Sequence, residues 1–258
     1  MNIISVIIVV VCLIAGIIYH EFGHMKAARH HNIRVKTFCI GLGKPFISRK
    51  GADGTEYGIA PVPLGGYCSM DDEELNSASL SSYVIVLLAG VLRNFILGTL
   101  LIIAGQLIIK GGFVSLPLLC KNVMVCVNAV VGSLGESIGN MFNLKTMAAN
   151  GGMVTQMAAT GTTIAASAKT FAHVVGLSLM SGGIMNYMLV VFNMLPVPGL
   201  DGGQVVVRCI CEISKRAFHR TINQNIVASI NMIVIMALIW YQGVILLFDI
   251  PWVRNMFL

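Results

Sequence analysis

The chain has 258 residues, of which 56% are apolar and only 11% charged, and its mean hydropathy is +0.83. That balance excludes an ordinary soluble domain and identifies a membrane protein. A net charge of +6 does not point to nucleic acid, because the basic residues flank apolar runs and no basic stripe with interleaved aromatics occurs. The 7 cysteines include no C-x-x-C pair, which argues against a zinc ribbon or a disulfide framework.

Four runs are long and apolar enough to cross a hydrocarbon core of about 30 Å as helix; they predict spans near residues 1–24, 83–109, 171–195 and 226–247. The first has no basic n-region and no small-residue cleavage site, so it is expected to be a retained span and not a signal peptide. It runs into the stretch IIYHEFGHMKAAR at 17–29. On a helix His20 and His24 lie one turn apart on one face, close enough to share a metal ion. Glu21, beside them in H-E-x-x-H spacing, is placed to take a proton from water and return it to a leaving amine. The competing reading makes all three interfacial residues at a helix end, yet ionisable groups at membrane depth are costly and usually functional. His30 and His31, among Arg29 and Arg34, read as solvated surface.

The segment 25–82 carries seven basic residues, Lys26, Arg29, Arg34, Lys36, Lys44, Arg49 and Lys50, and is expected on the cytoplasmic side. Both chain termini then face outward. Within this segment Gly51-Ala52-Asp53-Gly54 predicts a hairpin turn between two short strands, inside a β-loop over 38–70 whose edge can pair with an extended peptide. An ordinary hairpin with Gly65 and Gly66 as turn residues is the alternative. The acidic MDDEEL at 70–75 reads as a solvated helix start, and the second span then carries only Arg93 near its beginning. Between the second and third spans, 116–142 predicts an amphipathic helix on the outer leaflet, with Leu119, Val123, Val127, Val130 and Val131 at helical spacing.

The third span ends in VVFNMLPVPGLDGGQ at 190–204, where Pro196, Pro198 and three glycines must break the helix. Broken backbone at membrane depth is tolerated only where it lines a protein-enclosed or watery cavity. Asp201 sits at that break, either as a helix N-cap or as the third ligand that a catalytic zinc needs besides two histidines. The first and third spans run in the same direction, so His20, His24 and Asp201 all reach the cytoplasmic half. After Asp201 the chain reads as an interfacial helix.

Four motifs in this order carry a resemblance: H-E-x-x-H at 20–24, PVPLGGYCSM at 61–70, AGVLRNF at 89–95 and N-x-x-P-x-P-x-L-D-G-G at 193–203. Together they resemble the site-2 protease family of intramembrane zinc metalloproteases. The resemblance implies one Zn2+ per chain held by His20, His24 and Asp201, with Glu21 as general base and Asn94 and Asn193 positioning substrate or stabilising the oxyanion. It further implies a re-entrant β-loop on the cytoplasmic side. The expected fold is an all-α polytopic membrane protein, a single membrane-embedded protease domain over 1–258 with about four transmembrane helices, that β-hairpin loop and the outer helix.

The expected partners are the lipid bilayer and a protein substrate cut within or beside its transmembrane segment, such as an anti-sigma factor or a signal-peptide remnant. Neither nucleic acid nor a cofactor besides zinc is expected, and the expected location is the cell membrane. Three features depart from the family pattern: the interval 110–169 is too short for a PDZ domain, Val91 replaces a usual proline, and NGGMV at 150–154 replaces S-G-P-x-G. The alternative function is a divalent-metal transporter or channel, which needs ligands but has no use for a non-ligating Glu21 in this spacing.

Overall fold

In hydrocarbon every backbone N–H and C=O must be satisfied within the chain, so apolar runs of this length fold as helices. The computed structural model describes residues 2–112, 115–118, 120–121, 123–125, 127–128, 132, 143–150, 153–219 and 222–256. Its elements are α1 (Asn2–His30), β1 (Val35–Leu42), β2 (Ile47–Lys50), β3 (Glu56–Ile59), β4 (Val62–Met70), α2 (Asp72–Ser77) and α3 (Leu80–Lys110). There follow α4 (Leu144–Asn150), α5 (Met153–Ser167), α6 (Phe171–Met194), α7 (Asp201–Phe218), α8 (Gln224–Leu247) and α9 (Pro251–Asn255). Among the described residues, the four helices α1, α3, α6 and α8 are long and apolar enough to cross a membrane. Of the predicted outer helix, 116–118, 120–121, 123–125, 127–128 and 132 are helical, and the rest of 116–142 lies outside the described residues.

The chain divides into two compact units, one of Leu13–Leu97 with Phe192–Asn231 and the other of Met1–Cys12, Gly98–Val191 and Met232–Leu258. The second unit is built on glycine contacts. Cβ atoms added at Gly98 and Gly183 would come within 2.9 and 2.7 Å of each other's carbonyl oxygens, and Gly105 and Gly176 are opposed in the same way at 2.4 and 2.7 Å. Both pairs repeat at seven residues on α3 and on α6, so two helix backbones touch along one seam, as small residues permit in membranes. Next to it the Thr99 and Tyr187 hydroxyls share a 2.8 Å hydrogen bond. Asn186, fully buried, donates to the Gly182 carbonyl at 2.9 Å and to Cys12 at 3.4 Å, which makes it a helix-packing group.

In the first unit residues 35–70 form a four-stranded sheet of order β2-β3-β1-β4, more than the two-stranded hairpin expected. The Gly51–Gly54 turn does join β2 to β3 antiparallel, with Gly54 at φ +79. The remaining pairings are long-range: β1 runs parallel to β3 and antiparallel to β4, with Val35 opposite Met70. The expected all-α fold with a β-hairpin loop is thus a mostly helical chain in which the loop is a small mixed sheet. Gly65 and Gly66, read as possible turn residues, lie inside the nine-residue β4. A core of Met25, Ala28, Ile33, Val35, Phe38 and Val86 seats this sheet on the ends of α1 and α3. Arg29 adds a polar tie at the end of α1, donating to Asp53, to the Thr55 hydroxyl at 3.1 Å and to the Tyr57 hydroxyl at 2.7 Å.

Asp71 joins sheet to helix. It caps α2 by accepting from the Glu73 and Glu74 amides, and it pairs with Arg34 at 2.8 Å and Lys36 at 3.4 Å. The Arg34 hydrogen bond, followed by the backbone amides, holds its carboxyl well below the usual carboxylate range. A carboxyl whose folded pKa is depressed stabilises the fold fully above its unfolded value of about 3.9, and that contribution disappears as pH falls through the folded value. Asp71→Asn, which keeps the cap and removes the charge, is therefore expected to lower the melting temperature at pH 7 and to converge on wild type as the pH drops below about 4. Thermal unfolding in detergent across pH 3 to 8 checks this. On the seam, Gly183→Ala is expected to cost about 1–3 kcal/mol, because its Cβ meets a backbone carbonyl that no rotamer change relieves; the same melts measure it.

Candidate metal centre

Three polar side chains converge in the first unit. His20 and His24, 7% and 5% exposed, project from one face of α1 as the i, i+4 spacing predicts, with ring centroids 4.6 Å apart and edge to face. Their Nε2 atoms stand 3.0 Å apart, and Asp201 Oδ2 lies 3.1 Å from the first and 3.4 Å from the second. Asp201 arrives from the helix break. Helix α6 ends at Met194, Gly199 turns the chain at φ +93, and α7 begins at Asp201 itself. Gly202 and Gly203 let α7 start so close to the break: a Cβ at either would lie 2.5 Å from the Met194 carbonyl oxygen or 1.8 Å from that of Val197. Leu200 holds the N-cap position, so capping does not account for Asp201.

Two observations test whether a cation fits. Asp201 Oδ2 is buried and accepts no hydrogen bond, so its lone pairs are left for an ion. Above the histidines, Gly90 of α3 leaves open the space that a Cβ would take, at 2.6 Å from His24 Nε2 and 2.8 Å from His20 Nε2. Two imidazoles and one carboxylate are the donor set of a tetrahedral zinc site that keeps one position free. His24 Nδ1 is 2.9 Å from the Val86 carbonyl oxygen, the outer contact that fixes a metal-binding histidine with its Nε2 bare.

Glu21 lies beside this cluster and faces β4. Gly66 lets the strand come this near, since a Cβ there would sit 3.2 Å from Glu21 Cγ. Burial, and then the Glu21 charge, push the Cys68 thiol up to about 12, which favours its neutral form. Asn94 is 1% exposed, with its amide nitrogen 3.3 Å from His20 Nδ1. Asn193 is half-buried in the last turn of α6. Arg93, the one charge inside the second span, lies 4.8 Å from the Tyr19 ring and 4.7 Å from the Phe22 ring, and these contacts ease its desolvation.

Sequence reasoning brought together His20, Glu21, His24 and Asp201 but missed Val86 and Gly90. The residues 86, 90 and 94 are spaced by single helical turns, a stripe of α3 that faces both histidines. Gly90→Ala is expected to abolish stoichiometric metal binding while leaving far-UV circular dichroism unchanged, because the methyl group enters the space of the ligand atoms. Metal analysis of the purified variant checks it.

The family described as Peptidase family M50 matches residues 8–238 of the chain. A Xylella fastidiosa (strain Temecula1) protein named "Putative zinc metalloprotease" is 38% identical over 96 residues, which cover 33% of this chain and 22% of that protein. The Regulator of sigma-E protease RseP of Escherichia coli (strain K12) is 39% identical over 99 residues, 34% of this chain and 22% of its own. A Vibrio cholerae protein with the same zinc-metalloprotease name reaches 48% over 71 residues, 28% of this chain and 15% of its own. The chain thus spans about a fifth of the length of these relatives.

Proposed function

Because the chain belongs to Peptidase family M50, we infer that it is a zinc endopeptidase that works within the membrane and cuts peptide bonds in or beside transmembrane segments of other proteins. The observation that carries the reading is the convergence of two histidine nitrogens and a carboxylate oxygen beside a non-ligating glutamate, all on helices apolar enough to cross a bilayer or at the break between them. His20, His24 and Asp201 hold the ion, one per chain. A bound zinc supplies Lewis acidity, making water more acidic and a carbonyl more electrophilic.

The protein's own groups do the rest. Glu21, packed against β4 at Gly66, accepts the proton of the attacking water and delivers it to the departing amine. A substrate helix hides each scissile carbonyl in an i to i−4 hydrogen bond, so it must unwind and find new backbone partners. β4 is an edge strand of the sheet and lies against Glu21; a substrate segment added to that edge is drawn out as a strand beside the base. Asn193 is the polar group we assign to substrate. Asn94 is also implied in substrate binding by the resemblance, but its burial against His20 supports a role toward the ligand.

The basic residues of 25–82 support a topology with both termini outside and the site in the cytoplasmic half of the membrane. The whole chain then acts as one membrane-embedded protease domain, with the β-loop re-entering from the cytoplasmic side. The Escherichia coli relative is by name a regulator of sigma-E, which supports an anti-sigma factor as one substrate class. A divalent-metal transporter would need neither Glu21 nor an adjoining strand edge.

The test compares wild type with Glu21→Gln for zinc content and for cleavage of a tagged single-span protein in liposomes. Both are expected to hold about one zinc, and the variant to lose at least about 10²-fold in cleavage rate. Equal cleavage by both, or zinc flux across the liposome membrane in place of cleavage, would overturn the reading.

A further inference from the structure

Arg93 is the charge inside the second span, and it rests on aromatic rings of the first. Its guanidinium carbon is 4.8 Å from the Tyr19 ring and 4.7 Å from the Phe22 ring of α1. A second cation, Lys26 Nζ, stands 5.5 Å from the same Phe22 ring. Two like charges thus share one ring on the flank where α1 and α3 touch, with Arg93 half-buried and Lys26 exposed. Among the described residues neither forms an ion pair or a side-chain hydrogen bond. Basic residues nearby are treated differently: Arg29 pairs with Asp53, and Arg34 and Lys36 pair with Asp71.

An aromatic face attracts the charge of a guanidinium but leaves its in-plane N–H groups without acceptors. A cation at membrane depth is costly unless an anion or carbonyls meet it, so these donors require an anionic group from outside the chain. Position narrows the choice. With a rise of about 1.5 Å per residue, Lys26 lies about 6 Å and Tyr19 about 16 Å inside the His30 end of α1, a depth from which long basic side chains reach headgroups. The α3 surface one step round the helix from Arg93 is an apolar row, Ile85, Leu92 and Ile96, at 51%, 58% and 41% exposure. That row suits acyl chains.

We propose that Arg93 and Lys26, with the Tyr19 and Phe22 rings, form a binding site for the phosphate of an anionic phospholipid whose chains lie along the apolar row of α3. A guanidinium grips two phosphate oxygens at once, and the ammonium adds a point charge nearer the end of the helix. Basic pockets between spans are where such headgroups bind. An acidic residue of a protein substrate is the competing occupant, but the flank is wrong for it: at about 100° per residue, Tyr19 and Lys26 lie about 160° and 140° round α1 from Glu21, the group that faces β4. The site uses neither metal nor Glu21, so it is independent of the proposed chemistry and requires only that α1 and α3 lie in a bilayer.

The experiment titrates the full-length protein in detergent micelles with dioleoylphosphatidylglycerol or dioleoylphosphatidylcholine and counts retained lipid by native mass spectrometry. Wild type is expected to hold one phosphatidylglycerol at least about 10-fold more tightly than phosphatidylcholine. Arg93→Gln and Lys26→Gln are each expected to weaken phosphatidylglycerol binding about 5-fold, the effect of one basic side chain beside an anionic headgroup. Lys50→Gln, at an exposed position of β2, is expected to leave it unchanged. A readout without any variant guards against misfolding: in wild-type protein, phosphatidylglycerol with a photoreactive headgroup should label peptides from 17–29 and 86–97.

Equal affinity for the two lipids, or labelling confined to other segments, would overturn the proposal. Displacement of the retained lipid by an equal concentration of soluble glycerol phosphate would overturn it too, since the site would then serve a free phosphate. Unchanged lipid binding in both glutamine variants, with slower cleavage of a substrate that has an acidic residue in its span, would assign the two cations to substrate and sink the lipid site.

Discussion

The site exists because α1 and α3 approach more closely than side chains normally allow. A Cβ at Gly23 would lie 2.6 Å from the Ala89 carbonyl oxygen, and one at Gly90 would lie among the histidine rings. With both positions empty, His24 reaches a backbone carbonyl of α3 and His20 reaches Asn94. Two imidazoles at membrane depth need partners for both ring nitrogens. One partner of each is the neighbouring helix, and the other side of each ring faces Asp201, where the proposed ion would bind. The close approach therefore does more than pack two helices: it supplies the outer contacts that leave the inner nitrogens free.

A helix pair alone gives only two candidate ligands, and the third, Asp201, comes from a break in secondary structure. A residue in the middle of α6 has its backbone committed to helix and its side chain directed by the helical period. Ending the helix at Met194 and restarting it at Asp201 breaks that constraint. The prolines forbid continuation, and the paired glycines allow the new helix to begin against the carbonyls of the old one. Asp201 thereby comes to within 3.4 Å of both histidines although 176 residues of chain separate it from His24.

What the sequence discloses and what it conceals divide along physical lines. Helix spans were legible because hydrocarbon imposes a length and a composition, and His20, His24 and Glu21 because a helix turns spacing into direction. The hairpin turn was legible from its glycines. β4 was not: its pairing with β1 joins residues 35 apart, Val35 and Met70, and its glycines mimic a turn. Their purpose appears only in space, where Gly66 admits Glu21. Val86 was beyond reach for a different reason. Its contribution is a carbonyl oxygen, which every residue possesses and no sequence marks. Asn94 was noticed, but as a polar group facing substrate, since sequence places it on a helix and not against a particular ring nitrogen.

The mixed sheet then acquires a reason to sit where it does. Peptide hydrolysis inside a bilayer faces a substrate whose amides are already bonded to one another, so the enzyme must offer replacements at the point of attack. A free strand edge is a row of such replacements, and an unpaired edge is normally a hazard that proteins cover or shorten. Here β4 is bound on one side by β1 and packs at Gly66 against Glu21. That contact sets the distance between the Glu21 carboxylate and the edge, so under the proposed function an extended segment paired there would present its carbonyls next to the His20–His24–Asp201 cluster. The parallel bond from β1 to β3 and the core beneath it make that edge stiff. Stiffness matters because the cost of unwinding a substrate helix is offset only by partners that need no ordering of their own.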